Sequence, residues 1–222
     1  MFKDRNPKYN SFKSLKGGIF PLEGIIGVGK STTGISIVDF LNNIGINAKF
    51  FPEYVNKELL DQYISDMKKY AYTFQMVMLC KRIEIYRDAE RFAATGGVAI
   101  IDRSITGDFV FATMQHSLGN ITDQEFEAYK SLMKQEIQLI PTVTIYLKCS
   151  ADVSLCRVKN RGIQSEIEGY NFSYMKNLEN AYDKVMNSDS IGKCITIDWN
   201  ISVQIVNGRL LDEMVQDILE RL

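Results

Sequence analysis

The stretch Gly24-Ile25-Ile26-Gly27-Val28-Gly29-Lys30-Ser31 decides how the rest of the chain is read. It has a glycine, four free positions and then Gly-Lys-Ser, the pattern of a phosphate-binding loop. Glycines let backbone N–H groups close around phosphate oxygens. The lysine reaches the outer phosphates, and the serine hydroxyl sits on Mg²⁺. Lys30 is expected to face solvent in the empty loop. Thr32, Thr33 and the apolar Ile35, Ile37, Val38, Phe40 and Leu41 read as the following helix, whose N-terminal dipole points at the same anion. Residues 18–22 are short and mostly apolar, as a buried strand should be. Pro21 lacks a ladder donor, so an irregular strand is expected there.

Strand-like and helix-like runs alternate after the loop, which predicts a parallel sheet with helices on both faces. Four more strands are expected, at 47–51, 98–101, 143–147 and 194–197. A helical region with a break near Asp66 leads into a long helix over 71–94. Helices are also expected at 107–114, at 123–139 with Asp123 as a cap, at 151–160, up to residue 186, and over 210–222. The polar run 161–169 reads as a loop.

A chain of 222 residues suits one α/β domain with a sizeable core. Residues 1–16 are mixed polar and basic and read as a flexible tail, with the folded domain over 17–222. A net charge of −1 argues against a nucleic-acid backbone or an anionic membrane as the main partner. The apolar runs are too short for a membrane span. Cys80, Cys149, Cys156 and Cys194 are widely spaced, without metal-ligand pairing, and read as buried reduced thiols of a cytoplasmic protein.

Ligands of open parallel sheets bind beyond the carboxyl ends of the strands. Asp102, one step past an apolar strand, can hold Mg²⁺ with Ser31, directly or through water. Arg103 would face the reacting phosphate. Glu53, after the second strand, could take a proton from an incoming hydroxyl. Arg157 and Arg161, four apart, share a helix face and could meet transferring phosphate oxygens together. Gln75 and Arg82, seven apart, also project from one face. His116, the only histidine, reads as a surface residue.

From about residue 19 to 222 the chain resembles the deoxynucleoside kinases, in the branch with deoxycytidine and deoxyguanosine kinases. Glu23 to Thr32 looks like the family's Glu-Gly-x-Ile-Gly-x-Gly-Lys-Ser-Thr. Pro52-Glu53, Tyr72-Thr73-Phe74-Gln75, Asp102-Arg103-Ser104 and Arg157 to Gly162 are similar to its base, base-reading, Asp-Arg-Ser and lid segments. The resemblance implies a P-loop kinase fold with an arginine-bearing lid over a five-stranded parallel sheet. It implies transfer from ATP, or another nucleoside triphosphate, with Mg²⁺ to the 5′-hydroxyl of a deoxynucleoside. Glu53 would be the general base, and Lys30, Arg103, Arg157 and Arg161 would serve the transferring phosphate. Gln75, Arg82 and Asp108 would form the base pocket, which favours purines or cytosine over thymine. Tyr63 would contact the sugar 3′-hydroxyl with Glu166 or Glu168. Asp198, Trp199 and Asn200 would lie near the donor nucleotide. A homodimer through the long helix is also implied.

Two departures stand out. The tryptophan that usually follows the base is missing from Tyr54-Val55-Asn56-Lys57-Glu58, and the third lid arginine is Ile163. Two other readings share the loop. A thymidylate or related nucleoside monophosphate kinase would need an Arg-x-Pro-Gly-Gly-like segment after the second strand, which is absent. A silent nucleotide-binding subunit would be expected to lose the lysine or the base, and both are present.

Overall fold

In the computed structural model, residues 7–135, 140–188, 191–200 and 205–222 are described. Five parallel strands form one sheet: β1 (Ile19–Glu23), β2 (Ala48–Phe51), β3 (Val98–Asp102), β4 (Thr144–Lys148) and β5 (Cys194–Asp198). Their order is β2-β3-β1-β4-β5. Every residue of β1 and β3 is buried, as expected for central strands covered on both faces.

Pro21 does not disrupt β1. It sits in register opposite Ile101 of β3. The backbone carbonyls of Gly18 and Leu22 face β3, so the nitrogen of Pro21 faces β4. The missing donor is absorbed there, where the ladder has only Leu22↔Ile145 and Glu23↔Tyr146.

The helices are α1 (Pro7–Phe12), α2 (Lys30–Asn43), α3 (Lys57–Ser65), α4 (Met67–Ala94), α5 (Ile105–Ser117), α6 (Asp123–Gln135), α7 (Ala151–Arg161), α8 (Gln164–Gly169), α9 (Phe172–Met186) and α10 (Asp212–Glu220). Side-chain caps set several boundaries. Asp66 accepts from Lys69 N (3.0 Å) and divides α3 from α4. Ser104 accepts from Thr106 N (3.1 Å) and starts α5.

Asp123 is not the cap of α6. Thr122 and Glu125 form a reciprocal capping box, and Asp123 instead pairs with His116 (2.8 Å). The run 161–169 is mostly not a loop, because α8 forms within it and Gly169 lies against Ile64. The chain end is helical only from Asp212. Before it, β6 (Ile205–Val206) and β7 (Arg209–Leu210) make a short hairpin.

Residues 7–15, expected in a flexible tail, are helical. Phe12 and Leu15 are buried in the main core, with Phe12 edge-on to Phe40. Apolar burial outweighs the polar composition of that segment. Residues 1–6 of the expected tail and 136–139 of the expected helix lie outside the described residues. All four cysteines are free, but only Cys149 is fully buried, and Cys80 and Cys156 are exposed. Among the described residues, no helix is long and apolar enough to cross a membrane.

Candidate active site

The carboxyl ends of β1, β2, β3 and β4 open into one cleft of about 1180 Å³. That is at the upper end of ordinary ligand pockets, which run to about 1,000 Å³. The phosphate loop forms one wall. Its Gly27 has φ +79°, and a Cβ there would lie 2.6 Å from Val158 Cγ2, so only glycine lets α7 pack this close. Ile25 and Val28 point into the core, leaving Ile26, Gly27, Gly29, Lys30, Ser31 and Thr32 on the cleft. The first turn of α2 has no side-chain cap, so its free amides are available to an anion.

Lys30 does not face solvent. It is only 7% exposed, and its ammonium donates to the carbonyls of Gly24 and Ile25 (both 3.3 Å). Burial pushes its pKa down to about 8, helped by Arg103 and opposed by Asp102, Glu53 and Glu23.

Ser31 Oγ donates to Asp102 Oδ2 (2.6 Å). Asp102 Oδ1 is buried without a hydrogen-bond partner. A hydroxyl and a carboxylate with a spare oxygen beside a phosphate cradle fit Mg²⁺, which takes few protein ligands and completes its shell with water and phosphate. Among the described residues, no group of three or more His, Cys, Asp or Glu could hold a metal ion.

Glu53 follows β2 and lies between two guanidinium groups. Arg82 of α4 pairs with its Oε1, and Arg103 Nε donates to its Oε2 (3.3 Å). Burial alone would raise the pKa of Glu53. Arg103, Arg82 and Lys30 overcome that and hold it below the usual carboxylate range. Arg103 sits at φ +68°, in the left-handed region that a non-glycine residue rarely adopts. It donates to Gly24 O (2.8 Å) and to the Tyr182 hydroxyl, and lies 4.8 Å from the centre of the Phe111 ring. Burial disfavours its charge, but Tyr182, Glu53, Glu23 and Asp102 keep it protonated.

Arg82 also pairs with Asp108. Asp108 is 0% exposed and does not line the cleft. It holds Arg82 from behind and accepts from Tyr129 OH (2.7 Å). Gln75 lines the cleft and donates to the backbone carbonyl of Asp108 (3.1 Å), which fixes its amide while leaving a second N–H.

Tyr63 is not on the cleft. It stacks on Phe74 with centroids 4.6 Å apart, and its hydroxyl meets Tyr174 OH at 3.0 Å and the Gln115 amide. That polar trio within the helical layer satisfies a buried hydroxyl and draws it inward. Tyr170 lines the cleft instead, four residues after Glu166. Glu166 also lines the cleft and pairs with Arg161 (3.5 Å), whereas Glu168 pairs with Gln164 on an exposed face.

Arg157 and Arg161 both line the cleft, but they have separate partners. Arg157 donates to Val28 O (3.1 Å) and Trp199 O (3.0 Å), clamping the phosphate loop to the end of β5. Asn200 reaches the cleft. Trp199 is buried behind Gly29, and Asp198 holds the turn by accepting from Asn200 N (3.0 Å). Where the family's tryptophan is missing after Glu53, Val55 and Leu60 supply aliphatic lining.

Sequence reasoning gave Glu23, Tyr182 and Tyr170 no role. Only Glu23 carried a signal, as a carboxylate closing an otherwise apolar strand.

Sheet order, loop and cleft define a P-loop phosphotransferase. A family model described as deoxynucleoside kinase matches residues 20–219. Deoxyadenosine kinase of Dictyostelium discoideum is 30% identical over 207 residues, covering 92% of this chain and 80% of the relative. Deoxyguanosine kinase of the same organism is 30% identical over 198 residues, covering 87% and 66%. Among solved structures, deoxyadenosine kinase from M. mycoides with bound dATP matches with a TM-score of 0.75 at 21% identity, over 91% of this chain and 97% of that one. The chain belongs to the deoxynucleoside kinase family and is a phosphotransferase.

Proposed function

We propose that the protein transfers the γ-phosphoryl group of ATP, or another nucleoside triphosphate, to the 5′-hydroxyl of a deoxynucleoside, with a purine or cytosine base preferred over thymine. The observation that carries this is the placement of Glu53. It lies between Arg82 of the base pocket and Arg103, in the same cleft as the phosphate loop.

A base at that junction can take the proton of a hydroxyl presented from the base-pocket side. Its charged neighbours keep it ionised at neutral pH. Mg²⁺, held through Ser31 and Asp102, would neutralise phosphate charge when bound. The amides of the loop and of α2, with Lys30, cradle the donor phosphates. Arg103, Arg157 and Arg161 are the cations placed to meet charge on the transferring group, which is where positioned donors matter most. Gln75 and Arg82 meet the base edge, and Glu166 with Tyr170 receive the sugar hydroxyl. Asn200 lies on the donor side. We place the enzyme in the cytoplasm as a homodimer through α4.

The test is a panel of the four deoxynucleosides and thymidine monophosphate with ATP and Mg²⁺, read as nucleotide product. Turnover of deoxyadenosine, deoxyguanosine or deoxycytidine above thymidine is expected. Phosphorylation of thymidine monophosphate alone would replace this reading with a monophosphate kinase.

A further inference from the structure

Glu23, the last residue of β1, is completely buried. A buried carboxylate is costly unless its oxygens are satisfied, and here both are. Oε1 accepts from Ser104 N (2.7 Å), Ser104 Oγ (2.8 Å) and Gly107 N (3.1 Å). These groups lie at the start of α5, where the first amides have no partner inside the helix. Gly107 is required at this spot, because a Cβ there would lie 2.2 Å from Glu23 Oε2. That second oxygen accepts from the Tyr182 hydroxyl (3.2 Å), which in turn accepts from Arg103 Nη1.

The end of β1 therefore holds the turn after β3 at two points. Leu22 O accepts from Arg103 N (3.1 Å), and Glu23 binds Ser104. Between them Arg103 takes its left-handed conformation, which persists only where the surroundings over-determine it. The guanidinium is aimed by Gly24 O on one side and Glu53 on the other, with the Tyr182–Glu23 relay completing its shell.

We propose that Glu23 is a positioning residue for Arg103, fixing its backbone through Ser104 and Gly107 and its guanidinium through Tyr182. This deepens the kinase reading and rests on it. Glu23 touches no reacting atom, and its effect is carried by the aim of Arg103.

The test uses Glu23→Gln, Tyr182→Phe, their double variant, and Glu23→Gln in an Arg103→Met background. The glutamine oxygen can keep the three bonds made by Oε1, while its amide removes the acceptor for Tyr182. Each single variant is expected to lower kcat for the best deoxynucleoside about tenfold, in line with a charged hydrogen bond that matters mainly in the transition state. KM should stay within about twofold, and Tm within a few degrees. The double variant should be no slower than the slower single one, because both substitutions cut the same relay. In the Arg103→Met enzyme, Glu23→Gln should cost nothing further.

Wild-type kcat in Glu23→Gln overturns the proposal. So does a double variant whose loss is the product of the two single losses. If Glu23→Gln does not fold, Tyr182→Phe decides alone, and wild-type kcat there overturns the relay. A wild-type protein that turns over none of the deoxynucleosides overturns the kinase reading, and this proposal with it.

Discussion

Replacing Asp108 by Ala should expose how the base pocket is held together. Asp108 is fully buried and serves both Arg82 and the Tyr129 hydroxyl. Its removal leaves a guanidinium that is only 6% exposed, with Glu53 as its remaining carboxylate partner. Breaking a buried pair from one side costs about 3–5 kcal/mol. Because Glu53 still balances part of the charge, the lower end is expected, about 3 kcal/mol. For a chain of this size that lowers Tm by roughly 6–12 °C. The Gln75 contact goes to the backbone carbonyl of residue 108 and should survive.

Adding Arg82→Met removes the stranded charge, so the double variant should recover at least about half of the lost stability. It should also raise kcat/KM for thymidine relative to the other three deoxynucleosides, because the guanidinium no longer fills the space a thymine methyl needs. The same change strips Oε1 of Glu53 of its partner, so kcat on the best wild-type substrate should fall about tenfold. Thermal melts and kcat/KM for all four deoxynucleosides provide the readout. A single variant within about 2 °C of wild type, a double variant no more stable than the single one, or an unchanged thymidine ratio would each refute the reasoning.

Further outcomes are expected at Lys30, Glu53 and Asp102. Lys30→Ala should reduce kcat by about 10³-fold or more, and Tm should not fall, because a desolvated ammonium is removed; a large loss of Tm would show that Lys30 is structural. Glu53→Gln should lower kcat about 10²-fold or more with little change in nucleoside binding. As the proposed general base Glu53 acts ionised, and its pKa is held below the ordinary 4.5, so the acid limb of kcat/KM should lie below pH 4.5; in Arg82→Met the limb should move upward, and an unmoved limb would assign it to another group. The ion pairs of Glu53 also contribute stability that is present above its unfolded pKa and lost as pH falls through the lower folded value. Asp102→Asn keeps a partner for Ser31 but loses the carboxylate charge, so half-maximal activity should need about tenfold more Mg²⁺, and an unchanged Mg²⁺ titration would remove Asp102 from the metal site.

What the sequence disclosed depended on how local each cause is. The phosphate loop is contiguous, and its glycines and lysine are dictated by backbone geometry, so it could be read directly. Asp102 met Ser31 because β3, which Asp102 ends, neighbours β1, whose following loop runs into the first turn of α2 at Ser31. Arg82 and Asp108 met because helical spacing places Arg82 beside Gln75 on α4, facing the start of α5.

The inward turn of Tyr63 was not legible, because nothing local says which way a tyrosine on α3 turns. Phe74, Gln115 and Tyr174 lie 11, 52 and 111 residues further along the chain, and together they pull its hydroxyl inward. The α8 helix was hidden for a similar reason. Its polar sequence shows little apolar period, and the contact between Gly169 and Ile64 exists only in the fold. Glu23 was quoted within a motif but had no readable task, because its partners lie 81 to 159 residues away.

In the proposed reaction, Arg82 would connect the two halves in a way no pairwise spacing indicates. One end of its guanidinium is fixed by Asp108 at the floor of the base pocket, and the other holds Glu53. A base that displaces or tilts Arg82 would therefore also disturb Glu53, the proposed acceptor of the hydroxyl proton. A mismatched deoxynucleoside should then be penalised in kcat as well as in KM, because poor fit at the base edge reaches the reacting oxygen through a single side chain. The same link means that pocket substitutions chosen for volume alone will lose turnover unless Glu53 regains a second cationic partner.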